Sequence, residues 1–209
     1  MINSLREINC IMIDEKIAEL IDNMEKQGVI EAQEKPAYVY AYTLAAERII
    51  TFTAIGIIAF IVHRLPHIII FLAALMLLRR RTGGLHMDTF GQCFIGTNLV
   101  CLIVELCEGW WLRYPVIIVL LSVIAVIYIC FVGTVNHQAL DLSTKELMAS
   151  RKRARITAVI ELLVMLVLIL VKADIAVIGY TAMGINTCAL LLCISRIQLK
   201  EETADEEQS

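Results

Sequence analysis

Residues 115–133 read PVIIVLLSVIAVIYICFVG, and no charged side chain interrupts them. A helix rising about 1.5 Å per residue crosses the roughly 30 Å hydrocarbon core of a bilayer with a run of this length. The same texture recurs on both sides of it, in apolar blocks at 41–62, 66–79, 90–109, 156–171 and 174–195 separated by short charged clusters. The shorter blocks stand near the lower limit for a span.

Composition agrees with this reading. The chain has 209 residues, of which 59% are hydrophobic and 19% charged, with a mean hydropathy of +0.76, whereas soluble domains carry about 25% charged residues. So large an apolar excess does not fit inside one soluble core, and its grouping into blocks makes lipid the main solvent. The expected fold class is all-α: a polytopic membrane protein of about six transmembrane helices preceded by an N-terminal amphipathic helix. It is read as a single integral membrane domain over 1–209, with a cytoplasmic amphipathic helix in 1–38, a transmembrane bundle in 39–198 and an acidic cytoplasmic tail in 199–209. Residues 1–35 lack the basic opening and short apolar core of a cleavable signal, so the first span is expected to direct insertion itself. Seven cysteines, an odd number without a CxxC pair, point to free thiols instead of a disulfide framework or a zinc site. The net charge of −3 comes largely from the tail EETADEEQS. That run is ordinarily just solvated. No metal, cofactor or nucleic-acid partner is expected.

Basic residues report orientation, because short cytoplasmic connections retain them. With the N-terminus inside, the inner connections hold Arg79, Arg80, Arg81, Lys145, Arg151, Lys152, Arg153 and Arg155, and the outer ones only Arg64, Arg113 and Lys172. Both termini then fall in the cytoplasm. Trp110, Trp111 and Tyr114 sit where an outer aromatic belt belongs, and Pro66 and Pro115 punctuate outer turns. Before the first span, Ile13, Ile17, Leu20, Ile21 and Met24 share one face of a helix over 13–27, with Gly28 suited to its stop. Such a helix lies on the membrane surface, covers a partner helix or forms a simple cytoplasmic flap.

The inner connection between the second and third blocks reads RRRTGGLHMDTFGQC over 79–93, with His86 and Cys93 seven positions apart. A thiol attacks carbonyls as thiolate, and an imidazole in reach takes its proton, so a Cys with a reachable His is the minimal apparatus for acyl transfer. On one straight helix the two would lie about 10 Å apart along the axis, too far for a hydrogen bond. The backbone must fold between them. Thr89 and Gln92 match a capping box, which makes Thr89 the N-cap of the third span and puts Cys93 near its positive end. His86 stays in the preceding connection, where the permissive Gly83 and Gly84 let it turn back. Asp88 is a candidate to orient His86, and Gln92 to donate to an oxyanion; helix capping is the competing role for both. By itself, this spacing fits an interfacial His and an ordinary buried Cys as well as a catalytic pair.

The order of these residues resembles the accessory gene regulator B family, membrane endopeptidases of bacterial peptide quorum sensing. An arginine cluster closes a span at Arg79 and Arg80, followed by Gly83, Gly84, His86 and, opening the next span, Cys93. Chain size, the number of apolar blocks and the basic connection before the fifth span extend the likeness over most of the chain, although only the His/Cys segment is specific. Thr134 departs from the proline that the family often carries near the start of that connection. The resemblance implies that Cys93 is the nucleophile and His86 its base in cleaving the C-terminal part of a peptide precursor. It further implies a thioester acyl-enzyme resolved into a thiolactone or lactone. It implies as partner a precursor with an amphipathic helix and an acidic tail, for which Arg151, Lys152, Arg153 and Arg155 are the expected contact. The bilayer is the other partner, and a homodimer is left open.

Other residues have plainer readings. Glu47 and Glu105 are ionisable groups in or beside apolar blocks and so suspects for substrate handling, yet Glu47 has Arg48 beside it and Glu105 stands near water. His63 and His67 have metal-like spacing, but Pro66 between them argues for a loop. Cys101, Cys107, Cys130, Cys188 and Cys193 read as packing residues. The alternative to a protease is a small membrane transporter or channel. A non-catalytic scaffold and a metal enzyme follow behind.

Overall fold

The computed structural model describes residues 16–82, 90–135 and 144–206, and these form helices joined by short turns, with no strand among the described residues. In chain order they are α1 (16–26), α2 (Lys35–Ile61), α3 (Leu65–Thr82), α4 (Phe90–Leu106), α5 (Glu108–Arg113), α6 (Pro115–Val132), α7 (Thr144–Leu170) and α8 (Ile175–Glu206). The expected all-α class holds. Three of the helices, α2, α6 and the 175–199 part of α8, are long and apolar enough to cross a membrane, and the 94–106 part of α4 is a shorter apolar helix. The charges that close α3 and open α7 keep those two from the same description.

The chain forms two compact units. In the first, α1 folds against the start of α2. Ile17, Ile21 and Ile30 are buried together with Met24, Tyr38, Val39 and Ala46 around them, so the amphipathic face covers a neighbouring helix. Leu20, expected on that face, is exposed, because it lies at the edge of the apolar stripe. The helix stops as its glycine dictates: Gly28 has φ of 71°, and the Val29 and Gly28 N–H groups return to the Met24 and Glu25 carbonyls at 3.0 and 2.9 Å. These two bonds close the last turn in the way that a left-handed glycine permits. Lys35 then fastens the start of α2 to α1 through Asp22 at 2.6 Å and Glu25 at 3.0 Å.

The second unit contains α3, the end of α4 and α5 to α8, with α8 packed chiefly on α3 and α6, and α7 on the same two helices. Small residues permit the close approach that helices without a hydrophobic driving force require. A Cβ added at Gly184 would stand 2.7 Å from that of Ala74 and 3.0 Å from the Phe71 carbonyl oxygen. Between α6 and α8 the Ser122 hydroxyl lies 3.0 Å from the Ile118 carbonyl oxygen and 3.3 Å from that of Ala182.

Two boundaries differ from expectation. The third apolar block does not run straight to 109, since α4 ends at Leu106 and α5 is a separate short helix. Trp111 accordingly leaves the expected aromatic belt for the interior, where it lies over Gly179 and donates Nε1–H to the Val104 carbonyl at 3.1 Å. Trp110 and Tyr114 remain exposed. The inner connection also holds more helix than a loop would, because α7 starts at Thr144, well before its apolar part.

Candidate active site

The last turn of α3 carries Arg79, Arg80 and Arg81 and ends at Thr82. Carbonyls in a final turn have no partner within the helix, and a buried helix end requires partners from elsewhere. Here the tertiary structure supplies them. The Thr134 and Ser150 hydroxyls converge on the Arg81 carbonyl at 2.8 and 3.1 Å and stand 3.3 Å apart, while Val135 N–H donates to the Thr82 carbonyl at 3.1 Å. Thr82 is itself fully buried, its hydroxyl 3.2 Å from the Leu78 carbonyl and 3.6 Å from Cys188 Sγ. The residue at which the chain departs toward 83–93 is therefore fixed on all sides. Thr134, notable in the sequence only as a departure from proline, is one of the groups that fix it.

Beyond that anchor, the described chain resumes at Phe90, the first residue of α4 and the one after Thr89. Cys93 is helical, three positions after the first described residue of α4. Its side chain lies outside the described residues, as do His86, Asp88, Thr89 and His137. Gln92 is exposed in the same turn. Each end of the candidate segment is thus defined by itself, one as a pinned helix terminus and the other as the helix that carries the backbone of Cys93.

The four basic candidates lie on α7 and are all exposed, but two have structural work. Arg151 lies over Gly133, whose added Cβ would meet its side chain at 2.8 Å, and Gly133 has φ of 72°. One turn later Arg155 donates Nε–H to the Cys130 carbonyl at 2.7 Å, closing the end of α6 as basic residues commonly do. Lys152 and Arg153 have neither of these roles.

The remaining suspects resolve in different ways. Glu105 accepts a hydrogen bond from the Tyr180 hydroxyl at 2.7 Å. His63 sits in the turn after α2 with φ of 56°, whereas His67 is inside α3 and stacks on Tyr180 with ring centroids 5.2 Å apart; no metal-binding group of three or more His, Cys, Asp or Glu is found among the described residues. Cys101 and Cys188 are buried, Cys130 and Cys193 half-buried, and Cys107 exposed. One residue was missed. Glu161 interrupts the apolar run of α7, only 6% exposed, with neither carboxylate oxygen hydrogen-bonded. Its signal was present in ITAVIELLVML as a lone acid within an apolar block, the pattern that marks functional suspects.

A family model described as Accessory gene regulator B matches residues 15–198. No curated protein and no solved structure matches the chain.

Proposed function

The chain belongs to the accessory gene regulator B family, which implies a part in quorum-sensing peptide processing, and on that premise we propose that it is a membrane cysteine endopeptidase using Cys93 and His86. The observation that carries this reading is that the family match spans the whole of 79–93, the segment in which a His and a Cys follow an arginine-terminated helix. The anchoring of Thr82 supports it, since it fixes the point from which the chain departs toward His86.

In this reading His86 takes the proton of the Cys93 thiol, and the sulfur attacks a carbonyl in the C-terminal part of the precursor. The C–N bond breaks as His86 returns the proton to the leaving amine, and the N-terminal part stays on Cys93 as a thioester. A thiol or hydroxyl within that same peptide then attacks the thioester and frees the Cys93 sulfur, closing a thiolactone or lactone. A tethered nucleophile has a high effective molarity, and exchange of one thioester for another keeps the acyl group activated. The acidic tail of the precursor docks on α7, chiefly through Lys152 and Arg153, because Arg151 and Arg155 already hold the end of α6. The protein lies in the bacterial cell membrane with six spans and both termini in the cytoplasm, which sets the pair on the side where a precursor is made.

Co-expression with a cognate precursor, followed by mass spectrometry, tests the assignment. Wild-type protein yields the cyclic product, whereas Cys93→Ser and His86→Gln leave the precursor intact at equal membrane abundance. Normal processing by either variant contradicts these roles. A second reading, transport, draws on Glu161, a buried carboxylate without a hydrogen bond among membrane-length helices; it predicts that Cys93→Ser changes little.

A further inference from the structure

At the end of the second unit opposite Arg79–Arg81, polar groups gather around Tyr180, and none belongs to the 79–93 segment. Tyr180 is fully buried. Its hydroxyl donates to Glu105, its ring lies against His67 on one side and meets the edge of Trp111, centroids 4.8 Å apart, on another, and Glu108 and Arg64 act electrostatically on the same hydroxyl. Arg64 Nη2 is 2.7 Å from Glu108 Oε2. Two acids against one guanidinium leave the cluster short of positive charge.

The cluster is also short of hydrogen-bond donors. Glu108 is 8% exposed, and its Oε1 is buried without a hydrogen bond, as is Nδ1 of His67. A buried carboxylate oxygen without a donor is costly. A group bringing several N–H donors and one positive charge would answer both deficits, and a primary ammonium is the simplest such group.

What carries the ammonium follows from the neighbouring surface. Trp111, whose edge meets Tyr180, also lines an apolar groove of about 260 Å³ together with Ile103, Cys107, Trp110, Leu121 and Met183. Ile103, Trp110 and Leu121 on this groove are exposed. Polar cluster and greasy groove thus share a wall, an arrangement that fits an amphiphile. Arg64, with its side chain 41% exposed, offers further N–H donors to an anion beside the ammonium.

We propose that this end of the second unit binds a phospholipid with a primary-amine headgroup, its ammonium on Glu105 and Glu108, its phosphate on Arg64 and one acyl chain along the Trp110–Trp111 groove. The site is separate from peptide cleavage and does not depend on that reading. Native mass spectrometry of the full chain, released from bilayers of defined composition, tests it. Phosphatidylethanolamine is retained roughly tenfold over phosphatidylcholine of the same chains, since N-methylation removes all the N–H donors and little else. The double substitution Glu105→Gln, Glu108→Gln erases that preference while other lipids are retained as before. Should the double variant fail to fold, the comparison of the two lipids on the wild-type chain stands alone. Equal retention of the choline lipid, stronger retention of phosphatidylglycerol, or an unchanged preference in a folded double variant overturns the proposal. Displacement of the bound lipid by a water-soluble peptide with a free N-terminal amine, and not by its acetylated form, overturns it in favour of a peptide site.

Discussion

Thr134 shows how one hydroxyl can matter to a segment it does not belong to. Its Oγ1 reaches the Arg81 carbonyl at 2.8 Å, and Ser150 reaches the same oxygen at 3.1 Å. Removing a single buried hydrogen bond of this kind costs about 1 kcal/mol, too little to unfold a bundle but applied at the base of the chain that leads to His86. Thr134→Ala is therefore expected to lower thermal stability in detergent slightly and to slow processing several-fold, while Thr134→Ser keeps both near wild type; product formation against time measures the difference. Nothing in the sequence announced this role. The partners lie 53 and 69 positions from Arg81, and such distant pairings are invisible to local pattern. Glu161 is the opposite case, a lone acid in an apolar block whose peculiarity the sequence displayed plainly.

Among the helices, what was legible followed from period and punctuation. The apolar stripe of α1 and its stop at Gly28 were readable because glycine alone accepts φ of 71° without strain, whereas the cap expected to open α4, Thr89, lies outside the described residues. The break between α4 and α5 was not readable, since Cys107 and Glu108 are ordinary helix residues. Trp111 turns inward there because Gly179 leaves room for its ring, a fact of packing between elements distant in sequence. Close packing also gives a prediction for α3 and α8. Gly184→Val drives a side chain into Ala74 and the Phe71 backbone, and a cost of about 1–3 kcal/mol follows from such overpacking, read as a lowered unfolding temperature. The contact of α1 with α2 responds to pH instead. Lys35 holds the Asp22 carboxyl below its ordinary value through their hydrogen bond and charge. A depressed carboxyl contributes stability above its unfolded value of about 3.9 and loses it as pH falls through the lower folded one. Hydrogen exchange over 16–26 should be unchanged between neutral pH and about 5, after correction for intrinsic rates, and rise only in stronger acid.

For the molecule as a whole, the grouping of apolar residues into long blocks marked a membrane protein, because one soluble core of this size does not hold them. Among the helices that fall outside the strict length and hydropathy of a span, α3 and α7 are those whose ends carry the arginine and lysine clusters. The proposed orientation is read from the same clusters, so the features that weaken these helices as spans are the ones on which their proposed side rests. The candidate catalytic pair was legible as a motif and not as geometry: seven positions of sequence separation fix no distance once the backbone between them bends.

A thioester on Cys93 is the species on which the proposed chemistry turns, and the intact mass of the reconstituted full chain, caught during turnover of a cognate precursor, detects it. The expected result is a covalent adduct on Cys93 equal to the N-terminal part of the precursor, removable by hydroxylamine as a thioester is and absent from Cys93→Ala. Cleavage that proceeds in Cys93→Ala, or turnover with no adduct while the product accumulates in burst-free kinetics independent of His86, would contradict it.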